Sequence, residues 1–394
     1  LYTMSSSLRT AVAVTILVSM TVLVYFPMMR HGFINWDDDL VIVNNPVVQE
    51  LSPWSVRQAF TTFDPELYVP LTVLSLQIDY WLGGGSALPF HVTSMLLHCM
   101  SVVLVFLIGF TLTKKKSIAF LAAALFALHP INVEAVAVAS ARKDVLSGMF
   151  ALLSLAVVIC TQGRWQRAGK ILSIVFYGCS LLAKISTVFA PILLLFFAWG
   201  KRGKIIKKDW HDLLPYVCVA LPLIIVGTLG KQEVIGGLEF MTIPIALWGA
   251  VFALAHLFFP IRLALLYPVP QFFNVTHPSF LLSISALVLL GLLLVRFSSR
   301  RTYLGIATLS FFCLLVPSLL NSRSGDTYML ISDRYAYMPS AVFTIASAIV
   351  LYFFLKSFRN AYVFPVVSCT VLLVFGLLCS KQVRTFRDTP SAFA

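Results

Sequence analysis

Long apolar runs separated by short charged stretches dominate this chain. They lie at about residues 10–29, 92–113, 117–130, 144–162, 171–183, 186–200, 213–230, 279–295, 302–320, 337–355 and 361–380. A bilayer core of about 30 Å needs about 20 apolar residues per helix, so the pattern predicts an all-α polytopic membrane protein with about eleven transmembrane helices. The composition agrees, because 59% of the residues are hydrophobic.

The formal net charge of +13 is distributed unevenly along the chain. Alternate segments, beginning with the one that holds Arg9, carry most of the Lys and Arg residues, including the stretches 114–116 and 201–208, but only two of the acids. Basic residues concentrate in cytoplasmic loops, so the charge reflects topology and argues against a nucleic-acid partner. We expect a cytoplasmic N-terminus and an acid-rich extracytoplasmic face, in a bacterial inner membrane or, in a eukaryote, the ER membrane.

We predict one transmembrane domain over residues 1–380, followed by a tail at 381–394. Two long outer loops interrupt it, at 30–91 and 231–278. The first contains the amphipathic stretch 54–63, which predicts a short interfacial helix. The second contains the apolar stretch 245–266, whose proline and charged residues favour a re-entrant or interfacial element. The first apolar run lacks a small-residue cleavage site and is expected to be retained. No CxxC pair is present, so we expect neither a disulfide framework nor a metal knuckle.

Three consecutive acids, Asp37, Asp38 and Asp39, follow the first apolar run. Crowded carboxylates raise one another's pKa, which would suit one of them to act as a general base near neutral pH. Carboxylate oxygens also bind hard divalent cations. A solvated acidic turn is the third interpretation, and spacing alone leaves all three open.

A second polar group surrounds the end of the third run. It comprises His129, Glu134, Arg142 and Lys143. Ionisable side chains near membrane depth are costly and are usually functional or paired. His129 could simply end a helix, because Pro130 follows it. An internal ion pair of Arg142 with Glu134 or with Asp144 is the alternative to a functional role.

Two further cations stand at outer helix ends. Lys184 could bind a phosphate or extend its ammonium to the interface. Arg334 could bind a phosphate in bidentate geometry or pair with Asp333. Anionic ligands near a carboxylate base are what transfer from a phosphate-linked lipid would require. The residues predicted to surround such a donor phosphate are Arg142, Lys143, Lys184 and Arg334.

A series of sequence blocks resembles one family. The blocks are Asp37-Asp38 with Ile42 and Asn44-Asn45, Tyr68 to Ser75, Phe90-His91 with Leu96-Leu97-His98, Leu125 to Pro130 with Glu134-Ala135, Arg142 and Asp144, Ala183-Lys184, and Asp333 to Ser340. In this order they resemble the transmembrane O-mannosyltransferases that carry tetratricopeptide repeats, within the polyprenyl-phosphate-dependent class C glycosyltransferases (GT-C). The blocks span about residues 35 to 340.

The resemblance implies a GT-C-like membrane enzyme whose donor is a sugar on polyprenyl or dolichyl phosphate. Its acceptor would be a Ser or Thr hydroxyl of an exported protein, attacked with inversion at the anomeric carbon. Asp37 or Asp38 would be the catalytic base, with Asp39, His129 and Glu134 supporting the site. The cations given above would hold the donor phosphate. No metal ligand is assigned, although a divalent cation stays open as a cofactor.

Three departures from the family favour an alternative. Val69 replaces the usual Arg before Pro70, and Ile185 replaces the usual acid after Lys184. No tetratricopeptide repeat occurs in the sequence, so we expect the acceptor-binding module to be absent or separate. The alternative is a catalytically silent subunit that scaffolds a larger membrane complex. In an enzyme, Asp37 or Asp38 should face a cavity shared with Arg142 and Arg334. A transporter fits less well, because the polar groups cluster at one face.

Overall fold

The computed structural model describes residues 6–63, 67–161, 165–235, 241–270, 272–297, 302–320, 323–324, 327–358 and 360–393. Residues 64–66 of the predicted first outer loop, and 236–240 and 271 of the second, lie outside the described residues. The described chain is helical almost throughout, which confirms the predicted fold class. Two two-residue strands, β1 (Arg323–Ser324) and β2 (Thr327–Tyr328), form a small antiparallel hairpin.

The α-helices follow one another along the chain with short connections. They are α1 (Ser6–Tyr25), α2 (Pro46–Gln49), α3 (Pro53–Thr61), α4 (Pro70–Gly83), α5 (Ala87–Thr113), α6 (Lys116–Leu128), α7 (Val133–Ala137), α8 (Arg142–Cys160), α9 (Gln166–Ala183), α10 (Ile192–Arg202), α11 (Lys207–Ile235), α12 (Thr242–Phe258), α13 (Pro278–Phe297), α14 (Thr302–Leu319), α15 (Tyr337–Lys356), α16 (Val363–Thr385) and α17 (Thr389–Ala392). Short 3-10 turns lie at Phe26–Arg30, Pro130–Asn132, Ile185–Thr187 and Asp333–Ala336, and a π-helical turn at Asp39–Val43.

Seven spans among the described residues are long and apolar enough to cross a membrane. The count rises to eight if Lys116–Leu128 and Pro130–Ala137, which meet at 52°, form one broken span. Three shorter apolar helices lie at Thr242–Phe258, Pro278–Leu294 and Gly305–Leu319. These helices make the protein an integral membrane protein, as its hydropathy predicted.

The core of the bundle is built where α5, α6, α8 and α15 pack together. The sequence of α6 is rich in alanine, and small residues let helix backbones approach closely in a membrane. At Gly109 of α5, an added Cβ would stand 3.4 Å from the Cα of Ala119 in α6. At Gly148 of α8, an added Cβ would stand 2.8 Å from the ring of Tyr337 in α15. Both glycines are therefore needed for close helix contact.

Much of the predicted first outer loop is helical. Proline opens α2, α3 and α4 at a position where its missing N–H costs no hydrogen bond. Ser52 and Ser55 form a reciprocal capping box at the start of α3. The next helix, α5, begins at Ala87, five residues earlier than the hydropathy pattern predicted, because Ser86 caps it and Pro89 fits its first turn. In the second predicted loop, α12 accounts for most of the apolar stretch.

The two ends of the bundle differ in their side chains. At one end, the ammonium of Lys115 lies over the rings of Tyr352 and Phe353, near the last turn of α15. The turn that contains Arg334 lies directly before the first residue of α15. The 20 residues of α15 separate these ends by about 30 Å, at about 1.5 Å of rise per residue. The stretch 114–116 and Arg334 therefore lie at opposite ends.

The segment after α16 folds back against the loop that follows α1. The N–H of Gly32 donates to the Arg387 carbonyl at 3.4 Å. The N–H of Asn35 donates to the Thr389 hydroxyl at 2.9 Å. The rings of Trp36 and Phe393 meet edge to face, with centroids 5.8 Å apart. The tail is thus attached to the segment that leads directly to Asp37.

Candidate functional site

Asp38 joins the segment after α1 to the turn between α7 and α8. Its side chain is buried, with 1% of the residue exposed. One carboxylate oxygen accepts from the N–H of Ile34 at 3.0 Å, and the other accepts from the N–H of Ser140 at 2.8 Å. Ser140 lies in the turn between α7 and α8. Both oxygens of Asp38 are therefore occupied by backbone donors.

This double contact predicts a stability effect of Asp38→Asn. The amide nitrogen of Asn cannot accept a hydrogen bond, so the N–H of either Ile34 or Ser140 loses its partner. A buried donor without a partner costs about 1–3 kcal/mol. We expect thermal unfolding of the purified protein to show this loss, together with faster proteolysis after Ile34. Asp39→Asn is the control, and equal destabilisation by both variants would contradict the role given to Asp38.

Asp37 does not share the partners of Asp38; it pairs with Arg334, in the turn before α15. Its carboxylate lies 2.9 Å from a guanidinium nitrogen, and 27% of its side chain is exposed. Burial raises the pKa of Asp37, but the positive charges of Arg334, Lys143 and Lys184 outweigh this effect and hold the pKa below its usual value. The carboxyl is therefore ionised at neutral pH.

The predicted mutual elevation of pKa by crowded acids is wrong for Asp37. The cations Arg334, Lys143 and Lys184, which the sequence predicted to surround a donor phosphate, face this carboxylate and have the opposite effect on its pKa. The pKa of Asp38 is raised, but burial is the main cause and the charge of Asp37 contributes least among the effects. The pKa therefore changes in opposite directions in these two neighbours, because Asp37 faces three cations whereas Asp38 is buried.

Glu134 also contacts Arg334 and the residues directly before it. It is buried, and its oxygens accept from the hydroxyl of Ser332 at 2.6 Å and from the N–H of Arg334 at 3.0 Å. The Nε of Arg334 lies 3.6 Å from Glu134, too long for a hydrogen bond. Nε and Nη1 of Arg334 are buried and have no hydrogen-bond partner among the described residues. Within the described residues, Nε and Nη1 of Arg334 thus form no hydrogen bond, and Nε keeps an ion-pair contact with Glu134.

Lys184 and Lys143 complete a group of cations around Arg334. The ammonium of Lys184 pairs with Asp144 and lies 4.4 Å from the centre of the Tyr335 ring. Lys143 acts electrostatically on Asp37 and forms no ion pair within 4.0 Å with a carboxylate in the described part of the chain. Lys143, Lys184 and Arg334 therefore lie together beside Asp37, as predicted.

Arg142 lies apart from this group, contrary to its predicted place beside the acids. It is fully buried and pairs with Asp79 of α4. It also donates to the carbonyl of Phe90 and to the hydroxyl of Ser94 in α5. The alternative pairs with Glu134 or Asp144 are not formed either. Asp79 was missed, although one acid inside an apolar helix was a signal for a buried partner.

The remaining predicted residues have packing roles. His129 is fully buried; one ring nitrogen contacts the Leu257 carbonyl at 3.0 Å and the other accepts from the N–H of Ile131 at 3.3 Å. It therefore joins the end of α6 to the end of α12. Asp39 opens the π-helical turn, where its carbonyl accepts from the N–H of Asn44 at 2.8 Å.

Asp333 does not pair with Arg334, so that predicted alternative is wrong. Its carboxylate lies 3.3 Å from His256 and accepts from the hydroxyl of Tyr267 at 2.8 Å. These contacts join the turn Asp333–Ala336 to α12 and to the segment after it. Neither partner is predicted by the sequence, because they lie 66 and 77 positions away along the chain.

Apolar packing fills the positions that depart from the family pattern. Val69 is buried in a cluster with Ile42, Val48 and other residues, most of them from the same outer segment. Ile185 packs against a cluster that contains Tyr177 and Leu181. No group of three or more His, Cys, Asp or Glu side chains with metal-binding geometry occurs among the described residues.

Comparison with known proteins identifies relatives in one family. No family model matches. A mouse (Mus musculus) protein O-mannosyl-transferase, TMTC1, is 35% identical over 153 residues, which are 36% of this chain and 16% of the relative. A Caenorhabditis elegans protein O-mannosyl-transferase is 24% identical over 400 residues, covering 94% of this chain and 54% of the relative. The chain spans about half or less of the length of these relatives.

Two solved structures show a weaker likeness. An oligosaccharyltransferase from Archaeoglobus fulgidus, tethered to an acceptor peptide, has a TM-score of 0.49 and 15% identity, covering 98% of this chain and 55% of that one. Apo ArnT from Cupriavidus metallidurans has a TM-score of 0.46 and 12% identity, covering 98% and 77%. In sequence, this chain is similar to the transmembrane protein O-mannosyl-transferases, as its ordered sequence blocks predicted.

Proposed function

We propose that this protein is a membrane glycosyltransferase that moves a mannose-like sugar from a polyprenyl- or dolichyl-phosphate donor to a Ser or Thr hydroxyl of an exported protein. The observation that carries the proposal is the Asp37–Arg334 pair beside Lys143 and Lys184 at one end of the bundle. The named activity of the homologues supports the same reaction. The site would face the extracytoplasmic side, because the basic stretch 114–116 lies at the opposite end of the bundle.

Asp37 is the general base in this proposal. Its carboxylate is ionised and partly exposed, whereas both oxygens of Asp38 are taken by backbone donors. The acceptor oxygen bonds to the anomeric carbon while the bond from that carbon to the phosphate oxygen breaks. The hydroxyl proton passes to Asp37, and the departing phosphate keeps the electron pair. Direct displacement of this kind inverts the anomeric carbon.

The donor phosphate is held by Arg334 and Lys143, with Lys184 adding charge. Nε and Nη1 of Arg334, which form no hydrogen bond within the described residues, can bind phosphate oxygens in the fixed geometry of a guanidinium. Fixed positive charge at this position stabilises the charge that develops on the leaving group. Arg142 is a positioning residue, because it acts only through the packing of α4 and α5 on α8.

The test is a transfer assay with the purified full chain in lipid nanodiscs. The donor is mannosyl-phosphoryl-polyprenol, and the acceptor is a Ser/Thr-containing peptide. Mass spectrometry should find the glycosylated peptide, together with equimolar polyprenyl phosphate. Absence of transfer with a correctly folded protein would overturn the enzyme and favour the silent subunit.

The pH dependence of the rate should show which carboxylate accepts the proton. Only the ionised form is a base, and the lowered pKa of Asp37 keeps it ionised at every pH well above its ordinary value of 3.8. We therefore expect kcat/KM to vary less than about twofold between pH 5 and pH 7. A tenfold fall per pH unit below pH 7 would instead indicate a base with a raised pKa and would contradict Asp37.

A further inference from the structure

Two lysines from different parts of the chain converge on one tyrosine, at the end of the bundle opposite Arg334. Lys115 lies between α5 and α6, and its ammonium is 4.6 Å from the centre of the Tyr352 ring. Lys356 is the last residue of α15, one helical turn after Tyr352, and its ammonium is 5.3 Å from the centre of the same ring. We call Lys115, Tyr352 and Lys356 the lysine–tyrosine cluster.

Both positive charges of this cluster lack a carboxylate partner in the described part of the chain. The electron-rich face of Tyr352 attracts the two ammonium groups but leaves their net charge unchanged. Two like charges held close together repel each other. An anion bound beside both of them would therefore stabilise the cluster.

The sequence explains why no acid reaches these lysines. No Asp or Glu occurs from residue 80 to 133 or from residue 334 to 387, the two stretches that contain them. The acids that flank these stretches lie at the opposite end of the bundle, with the candidate active site. Two acids near the start of α11 already pair with other cations, Asp209 with Arg202 and Asp212 with Lys170. The described chain thus supplies no counter-charge for the cluster.

Exposed aromatic rings lie next to the cluster. Phe353 and Phe354, in the last turn of α15, are 58% and 61% exposed, and the centre of the Phe353 ring is 4.9 Å from the Lys115 ammonium. Because α15 belongs to a span long and apolar enough to cross the membrane, rings exposed along it meet lipid. Fixed positive charge beside lipid-facing rings matches a phospholipid, which joins an anionic phosphate to apolar acyl chains.

We propose that the lysine–tyrosine cluster binds the headgroup of an anionic phospholipid, with the phosphate beside Lys115 and Lys356 and the acyl chains against Phe353 and Phe354. Basic pockets between membrane helices bind such headgroups, and the cytoplasmic leaflet, where basic stretches concentrate, carries anionic lipids. A free phosphate would balance the charge but leave the rings without a partner. The cluster lies at the other end of the bundle from Asp37, so this proposal does not depend on the transfer reaction.

The experiment measures lipid binding to the purified full chain in mild detergent by native mass spectrometry. The probes are phosphatidylglycerol, which is anionic, and phosphatidylcholine with the same acyl chains, which has no net charge. We expect the wild-type chain to bind phosphatidylglycerol at least about tenfold more tightly. Lys115→Gln and Lys356→Gln should each weaken phosphatidylglycerol binding about fivefold, the usual contribution of one basic residue near an anionic membrane surface. Phosphatidylcholine binding should change less than twofold.

Two control variants separate a defined site from general surface charge. Lys207→Gln combined with Lys208→Gln removes two exposed lysines at the start of α11 and should leave the preference for phosphatidylglycerol intact. Lys115→Arg combined with Lys356→Arg keeps both charges of the cluster and should retain phosphatidylglycerol binding. Every variant should unfold at a wild-type temperature, because the substituted side chains are exposed.

A loss of the preference that is confined to the glutamine variants of the cluster would support the proposal. Equal binding of the two lipids by the wild-type chain would overturn it, as would an equal loss in the α11 control. Displacement of phosphatidylglycerol by millimolar inorganic phosphate would also overturn it, because the cluster would then recognise a free anion and not a lipid. The transfer assay tests the other end of the molecule, so either proposal can fail while the other stands.

Discussion

Asp37→Asn is expected to lower the rate of glycosyl transfer by about 10²- to 10⁴-fold, the usual contribution of a positioned general base. Asn fills nearly the same space as Asp, but its amide cannot take the proton of the acceptor hydroxyl. The variant also removes the charge that holds Arg334 at 2.9 Å. Initial rates at saturating donor measure the effect, and donor binding by native mass spectrometry shows whether the phosphate site is retained.

The control for this variant is Glu50→Gln, which changes an exposed acid of the same outer segment. It should retain the wild-type rate. A second comparison uses Asp38→Asn, whose loss should appear mainly in thermal stability. Retention of more than about a tenth of the rate by Asp37→Asn, or a folded Asp38→Asn protein without activity, would move the base from Asp37 to another residue.

Arg142→Ala is expected to destabilise the fold by about 3–5 kcal/mol, because it leaves Asp79 as an uncompensated buried charge. The carbonyl of Phe90 and the hydroxyl of Ser94 lose a donor as well. These contacts join α4 and α5 to the first turn of α8, next to Lys143. We expect a lower thermal midpoint by circular dichroism in detergent, together with reduced yield of the folded protein.

The double variant Arg142→Met with Asp79→Leu separates charge burial from packing. It removes both charges, so it should recover most of the stability lost in Arg142→Ala. Lys170→Ala is the control for an exposed ion pair: its partner Asp212 is 41% exposed, and the loss should be about 0–1 kcal/mol. Equal losses for Arg142→Ala and Lys170→Ala would contradict the structural role of Arg142.

Hydropathy predicted most of the helices, because each needs a run of apolar residues to lie in lipid. It could not predict that α5 begins at Ala87, since this boundary depends on the cap at Ser86. The amphipathic stretch 54–63 predicted the helix that the structure shows as α3, but hydropathy did not predict α2 and α4. A proline at the first position marks where α2 and α4 begin, while the apolar content of the segment is too low to mark a span.

The sequence predicted which residues form the site better than it predicted which ion pairs they make. Asp37, Lys143, Lys184 and Arg334 were expected near one another from their places at helix ends, and the structure brings them together. The partner of Arg142 was not, because a buried guanidinium pairs with whichever acid the neighbouring helices present. That acid is Asp79, on a helix that the hydropathy pattern had assigned to a loop.

Adjacent acids were also indistinguishable in the sequence. Asp37 and Asp38 differ by one position, but one side chain enters the cation group and the other turns toward Ile34 and Ser140. Both residues lie directly before the π-helical turn that begins at Asp39. No feature of the three-residue run predicts that turn.

The loop before Asp37 is anchored at two places that are far apart in the chain. The Ser140 N–H holds it through Asp38, and Thr389 and Phe393 of the tail hold it through Asn35 and Trp36. The segment that carries Asp37 is therefore held by residues from the middle of the chain and by its last described residues. The position of Asp37 thus depends on the packing of the tail against residues 32–36 as well as on the turn that contains Ser140.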